Sequence, residues 1–208
     1  SANTEGTANT ALGAYSLRND TLGSRSVAVG HQALNAQNPD AATSMYNVAV
    51  GANAGLSVTT ATGVTLIGGL SGDALTTGGS NVAVGKSALS AETGGAANVA
   101  VGAGSLAAQN VNSTGYNTAV GHEAGNDVTS GVRNTLIGAL AGDALTDADY
   151  NIAIGMGALT ADTLGSGSVA IGYKALQVQN FTSAGFSNNT AVGYTAGTAV
   201  TSGTSNTF

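Results

Sequence analysis

The chain has 208 residues and a formal net charge of −6, with no cysteine, no tryptophan and a single proline, Pro39. Only 4% of residues are aromatic and 8% charged, while glycine contributes 32, so large apolar side chains are too sparse to fill a wide globular core. The basic residues Arg18, Arg25, Lys86, Arg133 and Lys174 are scattered singly, which argues against a nucleic-acid partner, and no apolar run approaches the roughly 20 residues of a bilayer-spanning helix, so no membrane insertion is expected.

From the N-terminus onward the chain repeats itself. Aligning on the last residue of motifs such as Asn-Val-Ala-Val-Gly gives Gly13, Gly30, Gly51, Gly68, Gly85, Gly102, Gly121, Gly138, Gly155, Gly172 and Gly193; seven of the ten intervals are 17 residues, one is 19 and two are 21. Before each glycine stands an aliphatic residue, two positions earlier Val, Ile or Thr, and usually an Ala between them. This period-two alternation of β-branched side chains predicts a short strand ending at a glycine corner. A brief second segment and a polar turn close each rung, and nothing predicts a helix. The fold expected is an all-β repeat solenoid of about 17 residues per rung. It forms one segment over residues 1–208, about 11–12 rungs, read as a piece of a longer chain.

A slower rhythm overlies the first. Four residues after each corner the sequence runs Leu17, Leu34, Gly55, Gly72, Leu89, Leu106, Gly125, Gly142, Leu159, Leu176, Gly197, a four-rung superunit of 70 to 72 residues. The three long intervals fall at one place in it. Their inserts open with Gln37-Asn38, Gln109-Asn110 and Gln179-Asn180 and end on or near Tyr46, Tyr116 and Phe186. Insertions kept at one position of a solenoid stack as loops on one face, so these residues are the candidate surface contacts, about 19 Å apart, with the three aromatics expected either to pin each loop onto the shaft or to stand exposed as stacking platforms for sugars.

Lone rungs this rich in glycine bury too little to offset their ordering. A strip of small residues suits close approach of sister chains. Ala28, Ala49, Ala83, Ala100, Ala119, Ala153, Ala170 and Ala191 are therefore expected to line a threefold axis, with Leu66 and Leu136 plugging it. The partners expected are two further copies of the chain, in a homotrimer. The Asn residues before the strands, such as Asn81, Asn98, Asn117, Asn134 and Asn151, suit a stacked amide ladder.

The rungs Asn151-Ile152-Ala153-Ile154-Gly155 and Ser168-Val169-Ala170-Ile171-Gly172 resemble the head repeats of trimeric autotransporter adhesins. Those at Asn117–Gly121 and Asn189–Gly197 resemble repeats of phage tail-fibre proteins. The first resemblance implies a left-handed parallel β-roll. Together they imply an extracellular fibre on a virion tail or bacterial surface that presents contact loops to a host glycan or protein. Neither family carries catalytic residues to transfer.

No cofactor, metal or enzymatic activity is expected. His31 and His122 lie five rungs apart and read as turn residues. Asp73 and Asp143 supply too few oxygens for calcium and read as turn-forming. Gly85-Lys86-Ser87 lacks the strand-loop-helix setting of a phosphate loop. A glycan-cleaving tailspike and an ice-binding solenoid are the alternatives, the latter weakened because Thr10, Thr65, Thr118, Thr135, Thr190 and Thr207 are interrupted by Val or Ile.

Overall fold

The computed structural model describes residues 5–208. It is a parallel β-solenoid of eleven stacked rungs, with no helix among the described residues. Each rung contributes one three-residue strand: Thr10–Leu12, Val27–Val29, Val48–Val50, Thr65–Ile67, Val82–Val84, Val99–Val101, Thr118–Val120, Thr135–Ile137, Ile152–Ile154, Val169–Ile171 and Thr190–Val192. They form a single parallel sheet in which every strand pairs with the one before and after it. Register never slips. Val27 pairs with Val48 across a 21-residue interval just as Val82 pairs with Val99 across 17, so the extra residues are expelled into loops.

The glycine corner is enforced by stacking. Gly68 has φ +132, and a Cβ placed there would lie 2.5 Å from the carbonyl oxygen of Gly85 in the next rung. From Gly13 to Gly172 the glycines thus form a column in which any side chain collides with the backbone of the next rung, while Gly193, the last, meets none. The position four residues on is left-handed whether it holds Leu or Gly: φ is 48 at Leu34 and 59 at Gly55. A leucine there is strained, and its packing must compensate for the backbone it occupies.

The interior is narrow and divided in two. Its apolar half packs the middle residue of each strand against the leucines across the rung. Its polar half holds the asparagine ladder expected from the sequence. Asn81 Oδ1 accepts from the Asn98 backbone N–H at 2.9 Å, and Asn117 Oδ1 from that of Asn134 at 2.8 Å. The amide nitrogens of Asn117 and Asn134 donate to the carbonyls of Gly131 and Ala148, each at a later turn.

The alanine assignment is overturned. Ala28, Ala49, Ala83, Ala100, Ala119, Ala153, Ala170 and Ala191 are all fully buried inside the single chain, as are Leu66 and Leu136, so none of them lines an axis between copies. Alternation does separate two faces, but the inward one carries Ala and the outward one carries Val, Ile and Thr. The small side chain is demanded by the chain's own opposite wall. Leu66 and Leu136 occupy the room left by glycines: a Cβ on Gly55 would lie 2.8 Å from Leu66 Cδ1, and one on Gly72 2.8 Å from Leu66 Cδ2. Gly125 and Gly142 stand in the same relation to Leu136, at 2.6 and 2.8 Å.

Candidate contact surfaces

The inserts are anchored by a buried polar cluster. Seven residues after the corner the chain reads Asp20, Gln37, Val58, Leu75, then Glu92, Gln109, Val128, Leu145, then Asp162, Gln179, Val200. Each glutamine that opens an insert lies one rung above a carboxylate. Gln37 Nε2 donates to Asp20 Oδ2 at 2.8 Å, Gln109 Nε2 to Glu92 Oε2 at 3.1 Å, and Gln179 Nε2 to Asp162 Oδ2 at 2.6 Å. All six side chains are fully buried. The other carboxylate oxygens accept backbone N–H groups: Gly23 on Asp20, Gly95 on Glu92, and both Gly165 and Phe181 on Asp162. Each glutamine Oε1 in turn accepts from an interior amide, that of Asn47, Asn117 or Asn189. Gln37, Gln109 and Gln179 are therefore interior struts, a correction to their expected place on the surface.

The following asparagines do lie outside. Asn38, Asn110 and Asn180 are exposed, and their side chains accept from the hydroxyls of Thr21, Thr93 and Thr163 in the rung below. Tyr46, Tyr116 and Phe186 are exposed by 56, 58 and 63%. The side chains that hold the inserts down are Met45, fully buried, and Val111, nearly so, together with the partly buried Phe181. Tyr46 and Tyr116 occupy one column, immediately before the interior asparagine. Phe186 does not; the equivalent residue in its rung is Asn188.

That column has left-handed backbone throughout, with φ of 64 at Arg25, 53 at Tyr46, 66 at Gly63, 59 at Ala97, 53 at Tyr116, 59 at Arg133 and 60 at Tyr150. Arg25 Nη1 donates to the Tyr46 hydroxyl at 2.5 Å with its guanidinium carbon 5.4 Å from the ring centre. Arg133 repeats this on Tyr150, at 2.7 and 5.3 Å.

The second surface is the outer face of the eleven-stranded sheet. Its two outward columns are Val, Ile and Thr, and residues such as Val50, Ile67, Val120, Ile137 and Ile152 remain 36–38% exposed although a neighbour sits above and below each. The strip runs about 50 Å along the axis and about 10 Å across, roughly 500 Å² of contiguous short side chains, apolar apart from the threonine hydroxyls.

His31 lies against Tyr15, ring centres 5.9 Å apart, and His122 is 3.7 Å from Glu123. Burial pushes the Asp73 and Asp143 carboxyls above their ordinary value; at Asp143 the nearby charge of Asp127 adds to this while the Thr160 hydroxyl and backbone N–H groups oppose it. Set beside known proteins, the chain matches no family model, no curated protein and no solved structure at a significant level.

Proposed function

We propose that this chain is a structural and adhesive segment of an extracellular fibre, of the tail-fibre or adhesin-head kind, in which three copies pack side by side and present their insert loops outward. The observation that supports this most is the continuous strip of short β-branched side chains on the outer sheet face, Val and Ile interspersed with Thr. Contiguous exposed apolar surface of this size on a soluble body marks an interaction site. The strip has the same length as the rung stack and carries a β-branched residue on every rung, so the partner it suits is equally long and regular, namely another copy. The number three rests on the resemblance to trimeric adhesin heads and tail fibres. Function is then mechanical. Continuous rung-to-rung hydrogen bonding resists bending and proteolysis, and the inserts provide spaced contact points for a host-surface glycan or protein.

Sedimentation equilibrium tests the assembly. The chain is expected to run at three times its 19.9 kDa mass. Lysine at Val84, Val101 and Ile154 together, all on the outward face, is expected to give folded single chains with unchanged strand circular dichroism. A wild-type chain that sediments alone, or a triple variant that still assembles, rejects the reading.

Flatness of the same strip favours one second reading, an ice-binding face, because Thr65, Thr118, Thr135 and Thr190 all point outward from it. Thermal hysteresis at millimolar protein separates the two.

A further inference from the structure

One surface composite recurs without respecting the four-rung superunit. In the left-handed column, Arg25, Tyr46 and Gly63 stand on the second, third and fourth rungs; Arg133, Tyr150 and Gly167 stand on the eighth, ninth and tenth. The shift is six rungs. Direct repetition of the superunit yields shifts of four or eight, so inheritance of the core pattern does not account for the second copy. The order along the axis is set by backbone bonds. Gly63 N–H donates to the Met45 carbonyl at 2.8 Å and Gly167 N–H to that of Asp149 at 3.0 Å, which seats each glycine next above its tyrosine.

In each copy the guanidinium covers the lower ring face and its hydrogen bond to the hydroxyl fixes the ring. The upper face looks onto a glycine. A Cβ on Gly63 would meet nothing within 4 Å, whereas one on Gly167 would lie 2.8 Å from Asn188 Oδ1 and 3.1 Å from Phe186 Cδ1, so Asn188 and Phe186 wall the second slot and leave it narrower than the first. Both tyrosines remain about half exposed, 56 and 48%. From Tyr46 to the next side chain of the column, Ser80, is two rung spacings, about 9.6 Å, enough for one flat ring between them.

We propose that each slot receives one pyranose ring of a surface polysaccharide, laid with its C–H face on the free face of Tyr46 or Tyr150. This rests on the fibre reading and names the ligand of its contact surface. A peptide strand is disfavoured, because the backbone bonds of these rungs run to the rungs above and below and offer little free edge for strand addition. What the slots offer is a fixed ring face, the remaining guanidinium N–H groups of Arg25 and Arg133, and a polar side chain above, the Ser80 hydroxyl at the first and the Asn188 amide at the second, which match the apolar faces and equatorial oxygens of a sugar. The slots lie about 29 Å apart on one chain, so a long polysaccharide engages both and gains by avidity.

The test is calorimetric titration of the intact protein with hexamers of β-1,4-linked glucose, N-acetylglucosamine and mannuronate, and with the matching polymers. At least one series is expected to bind, its hexamer at two sites per chain. Gly63→Asn fills the first slot with a residue that Asn188 shows the column accepts at φ 50. It is expected to halve the hexamer stoichiometry and to weaken the polymer at least tenfold. Tyr46→Ala with Tyr150→Ala is expected to abolish binding while strand circular dichroism and melting stay unchanged, whereas Tyr→Phe at both positions retains it. Absence of binding by the wild type in all three series overturns the proposal, as does binding that survives the double alanine variant or a proline-rich peptide that binds the slots in the sugar's place. Trimers that bind no sugar reject this inference alone; a sugar-binding single chain rejects the fibre reading alone.

Discussion

Leu136 and the two glycines that face it show how one position is set by its neighbours. A methyl group on Gly125 would lie 2.6 Å from Leu136 Cδ1 and 3.0 Å from Leu106 Cδ2. Gly125→Ala is therefore expected to destabilise by about 1–3 kcal/mol through overpacking, and Leu136→Ala by about 2–5 kcal/mol through a cavity. Leu136→Ala combined with leucine at Gly125 and Gly142 restores the small-against-large pairing of the Ala-Leu rungs at these three positions and should recover part of that loss, the remainder set by Leu145, 2.8 Å from a Cβ on Gly142. Urea unfolding of the single and triple variants checks the coupling; additive losses would contradict it. Asp143 gives a pH test at the same scale. Its folded pKa lies above the ordinary 3.8 because burial outweighs its hydrogen bonds. The stability linked to its proton is therefore fully present below that ordinary value and is lost as pH rises through the folded one. Asp143→Asn is expected to raise the melting temperature slightly at pH 7 and to leave it unchanged near pH 3.

Between adjacent rungs, the acid–glutamine pair ties the insert to the rung below it. Asp162→Ala removes the acceptor of the buried Gly165 N–H and the partly buried Phe181 N–H and leaves the Gln179 amide only Ser168 and Ser187, and each interior donor left unsatisfied costs about 1–3 kcal/mol. Hydrogen exchange should quicken locally over residues 179–189, more than for Asp162→Asn, which keeps an acceptor oxygen. At this scale the sequence was only partly legible. Corner glycines located all eleven strands, because a stacked glycine column tolerates no other residue, and the asparagines before them announced the amide ladder. Which face points inward was not visible in the alternation. Period two separates Ala from Val without saying which is enclosed; the deciding information lies across the rung, in the leucines that stand four residues past the corner wherever the strand's middle residue is Ala and glycine does not take their place. The Gln-Asn pairs drew attention to the inserts for the right reason, but in Gln37, Gln109 and Gln179 the signal came from a buried tie to Asp20, Glu92 and Asp162 rather than from a surface role.

Across the whole molecule, the compensation between Leu66 and the pair Gly55 and Gly72 makes length a quantised property. Excising 68–137 joins Ile67 to Gly138 and meets every large interior side chain with the small one it requires, so the shortened chain should melt within a few degrees of the parent. Excising 68–84 removes a single turn and sets Leu66 beside Leu89 where Gly72 had stood, and that chain should melt far lower, as calorimetry would show. Such a body can be lengthened or trimmed by recombination only in steps of four turns, which confines its evolution to a discrete series of sizes.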